Sequence, residues 1–339
     1  MGVTYALMQF IFSPIMGNLS DQYGRRPVLL LSLLGLGIDY IFLAFAPSLL
    51  WLFVGRLIAG ISGASFTTGM AYIADISTPE KRAANFGLVG AAFGLGFVLG
   101  PIIGGFTSDI FDSLRAPFLV AAGLSLINVL FGIFFLPESL LASNRRKFSW
   151  SRANPVGVFK QITKYPSIAI YLLALGLLFL AGNTMQSTWG FFTIESFNWS
   201  AKQISISLTI VGVMAAIVQG GLVKYAIAYF GQVNTVIVGV SIQILGFLLF
   251  SFATQEWMMY AFTVVYCLGG ICGPALQGLI STGVPANEQG EIQGTVTAVM
   301  SLTSIISPLM MTQIFSYFTA SKTSGHYFPG AAFMTAAGV

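Results

Sequence analysis

The chain has 339 residues, of which 56% are apolar, 14% aromatic and only 8% charged, with a formal net charge of +4. A soluble domain carries about 25% charged residues, so this composition excludes a soluble globular protein. Runs of about 20 apolar residues, each long enough to cross a bilayer as a helix, recur along the whole sequence. We therefore predict an all-α polytopic membrane protein.

Eleven apolar spans follow one another along the chain, and the first and last are shorter than the others. One long polar insert separates the first five spans from the last six. We predict an N-terminal helical bundle at 1–136, a basic cytoplasmic linker at 137–166 and a C-terminal helical bundle at 167–339. The predicted spans are 1–16, 28–46, 48–74, 86–108, 117–136, 167–192, 203–223, 233–252, 256–281, 290–316 and 326–339.

Basic residues accumulate in every second loop, beginning with the polar stretch 17–27. Because loops rich in Lys and Arg face the cytoplasm, we predict that this stretch is cytoplasmic. Eleven cations then fall on that side and three on the other. The cytoplasmic set is Arg25, Arg26, Lys81, Arg82, Arg145, Arg146, Lys147, Arg152, Lys160, Lys164 and Lys224, and the opposite set is Arg115, Lys202 and Lys322.

An internal repeat with an offset of 207 positions relates the two halves of the chain. The matching pairs are Gly24 and Gly231, Gly63 and Gly270, Gly87 and Gly294, and Pro101 and Pro308. Both copies run in the same direction relative to the membrane, as in parallel transporter repeats. The offset predicts six helices in each half of a parental protein, with helix 1 absent and helix 12 truncated in this chain.

Three motifs resemble those of the major facilitator superfamily. GNLSDQYGRRP (17–27) fits the family pattern G-x-L-x-D-x-x-G-R-R-P, and GRLIAGISGAS (55–65) resembles a second family motif around Arg56. GLGFVLGPIIGG (94–105) contains G-x-x-x-G-P-x-x-G-G, a pattern associated with antiporter members. The resemblance implies the major facilitator fold of two six-helix bundles.

Within that family, the chain most resembles the bacterial tetracycline-efflux antiporters. The stretches YALMQFIFSPIMG (5–17), GRRPVLLLSLLG (24–35) and GPALQG (273–278) carry this resemblance together with the antiporter motif. The resemblance implies secondary active transport, with proton-coupled efflux of a drug as the expected activity.

The resemblance also implies a conformational latch at the cytoplasmic face. Asp21 would face the N-terminal end of helix 11, near 289–291, where the helix dipole favours an anion. Arg25 would pair with Asp75, and exposed pairs of this kind contribute about 0–1 kcal/mol each, so the latch could break. A solvated loop is the alternative interpretation. The predicted latch residues are Gly17, Asp21, Gly24, Arg25, Arg26 and Asp75.

Two charged residues, Asp39 and Arg56, lie well inside apolar spans. An unpaired charge at such a position costs about 2.5 kcal/mol or more, so both should face a cavity, pair or titrate. Asp39 could carry a proton, whereas Arg56 keeps its charge and could bias a carboxylate or guide a proton relay. A cavity-lining polar residue and a structural ion pair are the alternatives. We predict both as proton-coupling candidates.

The antiporter motif has no side-chain chemistry. Its glycines permit close helix packing, and its proline removes one backbone hydrogen bond and bends the helix. By resemblance, this region would seal the non-cytoplasmic side against leak, with generic small-residue packing as the alternative. The motif residues are Gly96, Gly100, Pro101, Gly104 and Gly105.

Uncharged polar residues within the spans, together with a tryptophan, are candidates for lining a substrate cavity. Hydrogen bonds between helices are the alternative for each of them. The candidates are Asn128, Asn183, Gln186, Trp189, Gln243 and Gln277.

The sequence departs from the tetracycline exchangers at two positions. Those proteins carry an acid in helix 9 and a histidine in helix 8, where this chain has Gln243 and Ala215. Asp39 is then the membrane acid left for proton coupling. The leading hypothesis is a proton-coupled exporter of a small amphipathic compound such as tetracycline. A metabolite facilitator or symporter of the same superfamily, or an inactive fragment lacking helix 1, are the alternatives.

The expected setting is the bacterial inner membrane, with the protein as a multi-pass monomer in the lipid bilayer. Its partners would be protons and a small-molecule substrate. We expect no enzymatic activity, no cofactor, no metal site and no nucleic-acid partner.

Overall fold

The computed structural model describes residues 2–154, 165–320 and 326–339. Lys160, Lys164 and Lys322 of the predicted basic sets lie outside these residues, as does 155–164 of the predicted linker. The first helices are α1 (Gly2–Tyr23), α2 (Arg25–Ala44), α3 (Leu49–Gly63), α4 (Phe66–Ile76), α5 (Pro79–Phe111) and α6 (Ala116–Phe135). The later ones are α7 (Pro166–Phe197), α8 (Ala201–Ile217), α9 (Val223–Phe230), α10 (Gln232–Ser251), α11 (Glu256–Leu268), α12 (Cys272–Thr282), α13 (Gln289–Thr319) and α14 (Ala331–Gly338).

Each predicted apolar span coincides with one helix or with two helices separated by a short interruption. In the part of the chain that the structure describes, nine stretches are long and apolar enough to cross a membrane. They match the predicted spans except the first and last, whose helices are α1 and α14. The protein is therefore an all-α, multi-pass membrane protein.

The stretch 17–27 is mostly helical, and the expectation of a loop there was wrong. Helix α1 continues to Tyr23 and α2 starts at Arg25, so Gly24 alone lies between them. Gly24 has φ of 103°, a backbone conformation that side-chain-bearing residues rarely adopt. The carboxylate of Glu138 also occupies the space that a Cβ would need. Glycine is thus required at this junction.

In three spans the α-helix is interrupted by a short turn. Ala64 and Ser65 separate α3 from α4, a π-helical turn at Val218–Leu222 joins α8 to α9, and a 3-10 turn at Gly269–Ile271 joins α11 to α12. Helix α5, by contrast, continues through Pro101 without interruption. The backbone hydrogen bond that this proline is predicted to remove is therefore not needed for α5 to continue.

The first compact unit comprises the described residues of Met1–Arg82, Gly100–Leu172 and Ile280–Leu302. Within it, α2 packs on α6 and on α3, and α1 packs on α3. The first half of α13 also belongs to this unit.

The second compact unit comprises the described residues of Ala83–Leu99, Leu173–Leu279 and Thr303–Val339. Within it, α10 packs on α14 and on α11, and α8 packs on α11. An aromatic core holds these helices together through edge-to-face contacts, which stabilise beyond the area that they bury. Its fully buried aromatic members include Trp189, Phe192, Phe247, Phe250 and Phe333.

The packing pairs within the two units correspond under the 207-residue offset, which carries α1, α2, α3 and α6 onto α8–α9, α10, α11 and α14. Gly87 and Gly294, one of the repeat pairs, each pack against the backbone of another helix in their own unit. Each compact unit nevertheless combines residues from both predicted bundles. The boundaries at 1–136, 137–166 and 167–339 therefore stay a prediction.

Candidate functional site

Helices α1 and α13 approach closely through small residues in the first unit. A Cβ at Gly17 would collide with the backbone carbonyl of Gly290. One helical turn away, a Cβ at Gly294 would lie 3.0 Å from the carbonyl oxygen of Ser13. Small residues spaced four apart allow such close backbone contact between membrane helices. The contact brings the polar end of α1, with Asp21, to the first turn of α13.

Asp21 caps the N-terminus of α13. Its Oδ1 accepts a hydrogen bond from the backbone N–H of Gly290 at 3.0 Å, and its Oδ2 accepts one from Glu291 at 3.1 Å. The first N–H groups of a helix have no partner within the helix, and a carboxylate there also complements the helix dipole. Asp21 is 1% exposed. The predicted contact with 289–291 is therefore present, and the carboxylate is buried there.

Arg25 connects two carboxylates in the same cluster. Its Nη1 lies 2.6 Å from Asp21 Oδ1, and its Nε lies 2.9 Å from Asp75 Oδ2. Nη1 also donates to Ser20 Oγ at 2.7 Å. Because Arg25 is fully buried, the expectation of weak exposed pairs was wrong. Removing one partner of a buried pair leaves an uncompensated charge, which costs about 3–5 kcal/mol.

The charge of Asp21 depends on these contacts. Asp21 lies in the polar stretch 17–27, outside the predicted apolar spans. Burial raises the pKa of its carboxyl to about 6, because the carboxylate loses its hydration. The Arg25 guanidinium and the N–H of Gly290 oppose this rise by stabilising the carboxylate. Asp21 is therefore ionised, and the cap complete, above about pH 6.

Glu138, which the sequence analysis did not single out, caps α2. Its Oε1 accepts from the backbone N–H of Arg25 at 2.8 Å and from that of Leu140 at 3.0 Å. Its Oε2 accepts from the N–H of Arg26 at 3.2 Å. The side chain of Arg26 donates to the carbonyl oxygen of Ile133 at 2.5 Å. An acid directly after the apolar span that ends at 136 was the available sequence signal.

Asp39 and Arg56 form a second charged pair in the first unit. Arg56 Nη2 is 3.8 Å from Asp39 Oδ2, a long ion pair. Asp39 is 1% exposed, and neither of its oxygens has a hydrogen-bond partner among the described residues. The Arg56 side chain is 31% exposed. Asp39 is thus a buried carboxylate with one distant cation.

Arg56 lies at a cavity of about 530 Å³ that is largely open to its surroundings. The cavity is lined mainly by apolar side chains, with Tyr5 as a second polar group. The lining residues are Gly2, Tyr5, Leu43, Leu52, Arg56 and Phe118.

Gln9 is a further polar residue that the sequence analysis missed. Its Nε2 donates to the carbonyl oxygen of Gly63 at 3.2 Å, and its Oε1 accepts from Ser301 Oγ at 3.2 Å. The amide therefore links α1 to α3 and to α13. A glutamine in an apolar span was the signal, since polar side chains in membrane helices usually hydrogen-bond across helices.

The antiporter motif does not make the close packing that its glycines suggested. A Cβ at Gly96, Gly100, Gly104 or Gly105 would meet no described atom within 4 Å. Two residues before Gly96 in α5, a Cβ at Gly94 would lie 2.6 Å from the carbonyl oxygen of Gly212. Close packing of α5 is therefore carried by glycines before the motif.

Trp189 was predicted to line a cavity, and the structure places it in the aromatic core. It is 2% exposed, and its Nε1 donates to Ser207 Oγ at 2.9 Å. Its ring contacts Phe250 edge-to-face, with the centroids 5.2 Å apart. Burial of the ring and satisfaction of its N–H leave no atom for a ligand in this arrangement.

The other cavity candidates have different surroundings. Asn183 Nδ2 lies 3.4 Å from the hydroxyl oxygens of Thr303 and Ser304. Gln243 packs against Gly269 in the 3-10 turn. The exposed candidates are Asn128 and Gln186, and Gln277 is partly buried on α12.

Comparisons with known proteins agree with this architecture. The family model of the Major Facilitator Superfamily matches residues 1–308. The chain is 40% identical to the tetracycline resistance protein, class C, of Escherichia coli over 328 residues, covering 97% of this chain and 82% of that protein. It is 35% identical to the class H protein of Pasteurella multocida over 320 residues, covering 93% and 78%.

A solved structure shows the same fold. The crystal structure of the human organic anion transporter MFSD10 (TETRAN) matches with a TM-score of 0.88 at 24% identity, covering 99% of this chain and 80% of that one. The family match extends over most of the chain, and the similarity to the tetracycline resistance proteins includes nearly all of it. The chain therefore belongs to the major facilitator superfamily of membrane transporters.

Proposed function

We propose that this chain is a secondary active transporter that exports a small amphipathic compound, such as tetracycline, in exchange for protons. The 40% identity to a tetracycline resistance protein over nearly the whole chain supports this substrate class. The bacterial relatives support a location in the bacterial inner membrane, and we propose that the protein acts there as a monomer.

The buried carboxylate of Asp39 is the observation that carries proton coupling. A carboxylate without hydrogen-bond donors is costly inside a membrane protein, and binding a proton removes its charge. Arg56 keeps its own charge and lies 3.8 Å away at the edge of a cavity. A substrate that approaches Arg56 would change the environment of Asp39. Substrate binding and proton release would then be linked at one place.

The Asp21 cluster would control access from the cytoplasm. Its contacts hold the ends of α1, α2, α4 and α13 together. Separation of α1 from α13 would expose the Asp21 carboxylate and the N–H groups of Gly290 and Glu291 to water. Water would then replace the broken hydrogen bonds, so the latch can open at moderate cost. Gly17 and Gly24 allow the close approach and the tight junction that the closed form needs.

The remaining cavity candidates are proposed to contact substrate in another conformation of the transport cycle. Their amide groups can both donate and accept hydrogen bonds, and these candidates are Asn128, Asn183, Gln186, Gln243 and Gln277. The glycines of the antiporter motif could pack against a neighbour in that other conformation, since they have open space in this one.

Transport of tetracycline by the purified chain in proteoliposomes tests the proposal. With an imposed pH gradient, tetracycline movement should be accompanied by opposite proton movement, which a trapped pH-sensitive dye reports. Asp39→Asn should abolish the proton signal. Asp112→Asn is the matched control, because Asp112 is an exposed acid in a left-handed backbone conformation that asparagine also tolerates.

Three results would count against the proposal. Flux of tetracycline that is indifferent to the pH gradient would support the facilitator alternative. Proton exchange that survives Asp39→Asn would place coupling elsewhere. Absence of flux from folded protein would contradict tetracycline transport.

A further inference from the structure

The linker returns to the junction between α1 and α13. The backbone N–H of Arg146 donates to the carbonyl oxygen of Asp21 at 3.0 Å. The N–H of Phe148 donates to Gln22 Oε1 at 2.7 Å. Leu140 and Ala153, on either side of these contacts, are buried. The linker is therefore attached to the end of α1 at Arg146 and Phe148.

Two linker arginines reach the turn that precedes α13. Arg146 Nη1 lies 3.1 Å from Glu291 Oε2 and 3.4 Å from Glu288 Oε1. It also donates to the carbonyl oxygen of Asn287 at 3.4 Å. Arg152 Nη1 lies 3.6 Å from Glu291 Oε2. Both glutamates are buried, and the arginines are about one-fifth exposed.

These ion pairs resolve an electrostatic conflict at the start of α13. Asp21, Glu288 and Glu291 bring three carboxylates to one helix terminus. A helix N-terminus carries only about half a positive charge, so it cannot compensate three anions. Arg25 pairs with Asp21. Arg146 supplies positive charge to both glutamates, and Arg152 is a second cation at Glu291. Glu288 also accepts a hydrogen bond from the Tyr165 hydroxyl at 3.0 Å.

Neighbouring linker cations are more exposed than Arg146. Arg145 and Lys147 are exposed, whereas Arg146 between them is directed to the glutamates. The ion pairs of Arg146 with both glutamates distinguish its role from the general positive charge of the linker.

We propose that Arg146 and Arg152 are positioning residues for the cytoplasmic latch. By neutralising Glu288 and Glu291, they hold the turn at 286–291 where its N–H groups meet Asp21. The linker is thereby part of the cytoplasmic latch and stabilises its closed state. The inference rests on the proposed latch function of Asp21.

The test measures how readily α1 separates from its neighbours, with no substrate present. Thr67 is fully buried, and its Cγ2 lies 3.2 Å from the position of a Cβ on Gly17. Thr67→Cys, in a full chain with Cys267 and Cys272 changed to alanine, is labelled with a membrane-impermeant maleimide from the cytoplasmic side. The labelling rate follows the population of the open state.

Arg146→Gln should raise the labelling rate about fivefold, and Arg152→Gln should raise it less, because the single ion pair of Arg152 is longer. Arg146→Lys should stay near the parent rate, since it keeps the charge. Lys147→Gln is the matched control and should leave the rate unchanged, because this side chain is exposed on the same linker. Glu291→Gln removes the other partner of the same ion pair and should raise the labelling rate as Arg146→Gln does. It provides the test if Arg146→Gln does not fold.

Asp21→Asn in the same assay separates the two proposals. If Asp21→Asn raises the rate but Arg146→Gln and Glu291→Gln do not, the role of the linker is wrong and the latch remains. If Lys147→Gln raises the rate as much as Arg146→Gln, only the general charge of the linker matters, and the inference fails. If Asp21→Asn leaves the rate unchanged, the latch itself is wrong and this inference fails with it.

Discussion

The Asp21 carboxylate accepts a hydrogen bond from the backbone N–H of Gly290, although 269 positions separate the two residues in sequence. Two features make this contact possible. Glycine at 17 and 290 lets α1 and α13 approach closely, and the first turn of α13 offers N–H groups without partners. Cations from two other segments lie at this contact, because Arg25 pairs with Asp21 and Arg146 pairs with Glu291.

Asp21→Asn is expected to reduce tetracycline transport by about tenfold or more, because charge-assisted hydrogen bonds are roughly twice as strong as neutral ones. The amide also carries two donors, one of which would face the donors of α13. Uptake of tetracycline by energised inverted membrane vesicles measures the effect. The amount of protein in the membrane should match the parent chain, and Asp112→Asn should transport normally. Undiminished uptake by Asp21→Asn would refute the latch.

Arg25→Gln is expected to destabilise the protein by about 3–5 kcal/mol, because it leaves Asp21 and Asp75 buried without their shared cation. Thermal unfolding in detergent, followed by tryptophan fluorescence, measures the loss. Lys81→Gln removes the same charge from an exposed position and should change the unfolding temperature little. Equal unfolding temperatures for both variants would show that the Arg25 pairs contribute no net stability.

Gly94→Ala and Gly104→Ala place the same methyl group at two positions of α5. At Gly94 the methyl would press on the backbone of α8, so we expect a lower unfolding temperature. At Gly104 it meets open space, and alanine should stabilise the helix by about 0.4–1 kcal/mol. The unfolding temperatures of the two variants, measured under the same conditions in detergent, test both expectations. A stable Gly104→Ala protein that fails to transport would support motif packing in a different conformation.

Trp189→Ala is expected to lower stability by about 3–5 kcal/mol, because it removes a large ring from a close-packed core. Trp257, which is 59% exposed, is the matched control, and Trp257→Ala should change stability little. Trp189→Phe should retain the parental KM for tetracycline, measured in vesicles at several concentrations. A large rise in KM without loss of stability would restore Trp189 as a substrate contact.

The sequence by itself determined the helices and their family. Apolar spans of about 20 residues predict membrane helices because every backbone polar group must be paired inside lipid, and the structure has a helix at each predicted span. The resemblance to the family's motif also implied that Asp21, Arg25 and Asp75 form one cluster. Asp39 and Arg56 were identifiable because charges in apolar spans are rare and costly.

Only the tertiary structure decided which polar groups meet and which stay buried. Glu138 and Arg146 gave no local signal of their partners Arg25 and Glu291, because each of these lies more than 100 positions away in sequence. The spacing of Trp189 and of the motif glycines in the sequence does not show which residues pack against them. Their surroundings are set by the positions of neighbouring helices. Periodicity and composition describe one helix in its solvent, whereas packing and ion pairing depend on where other helices place their backbones and charges.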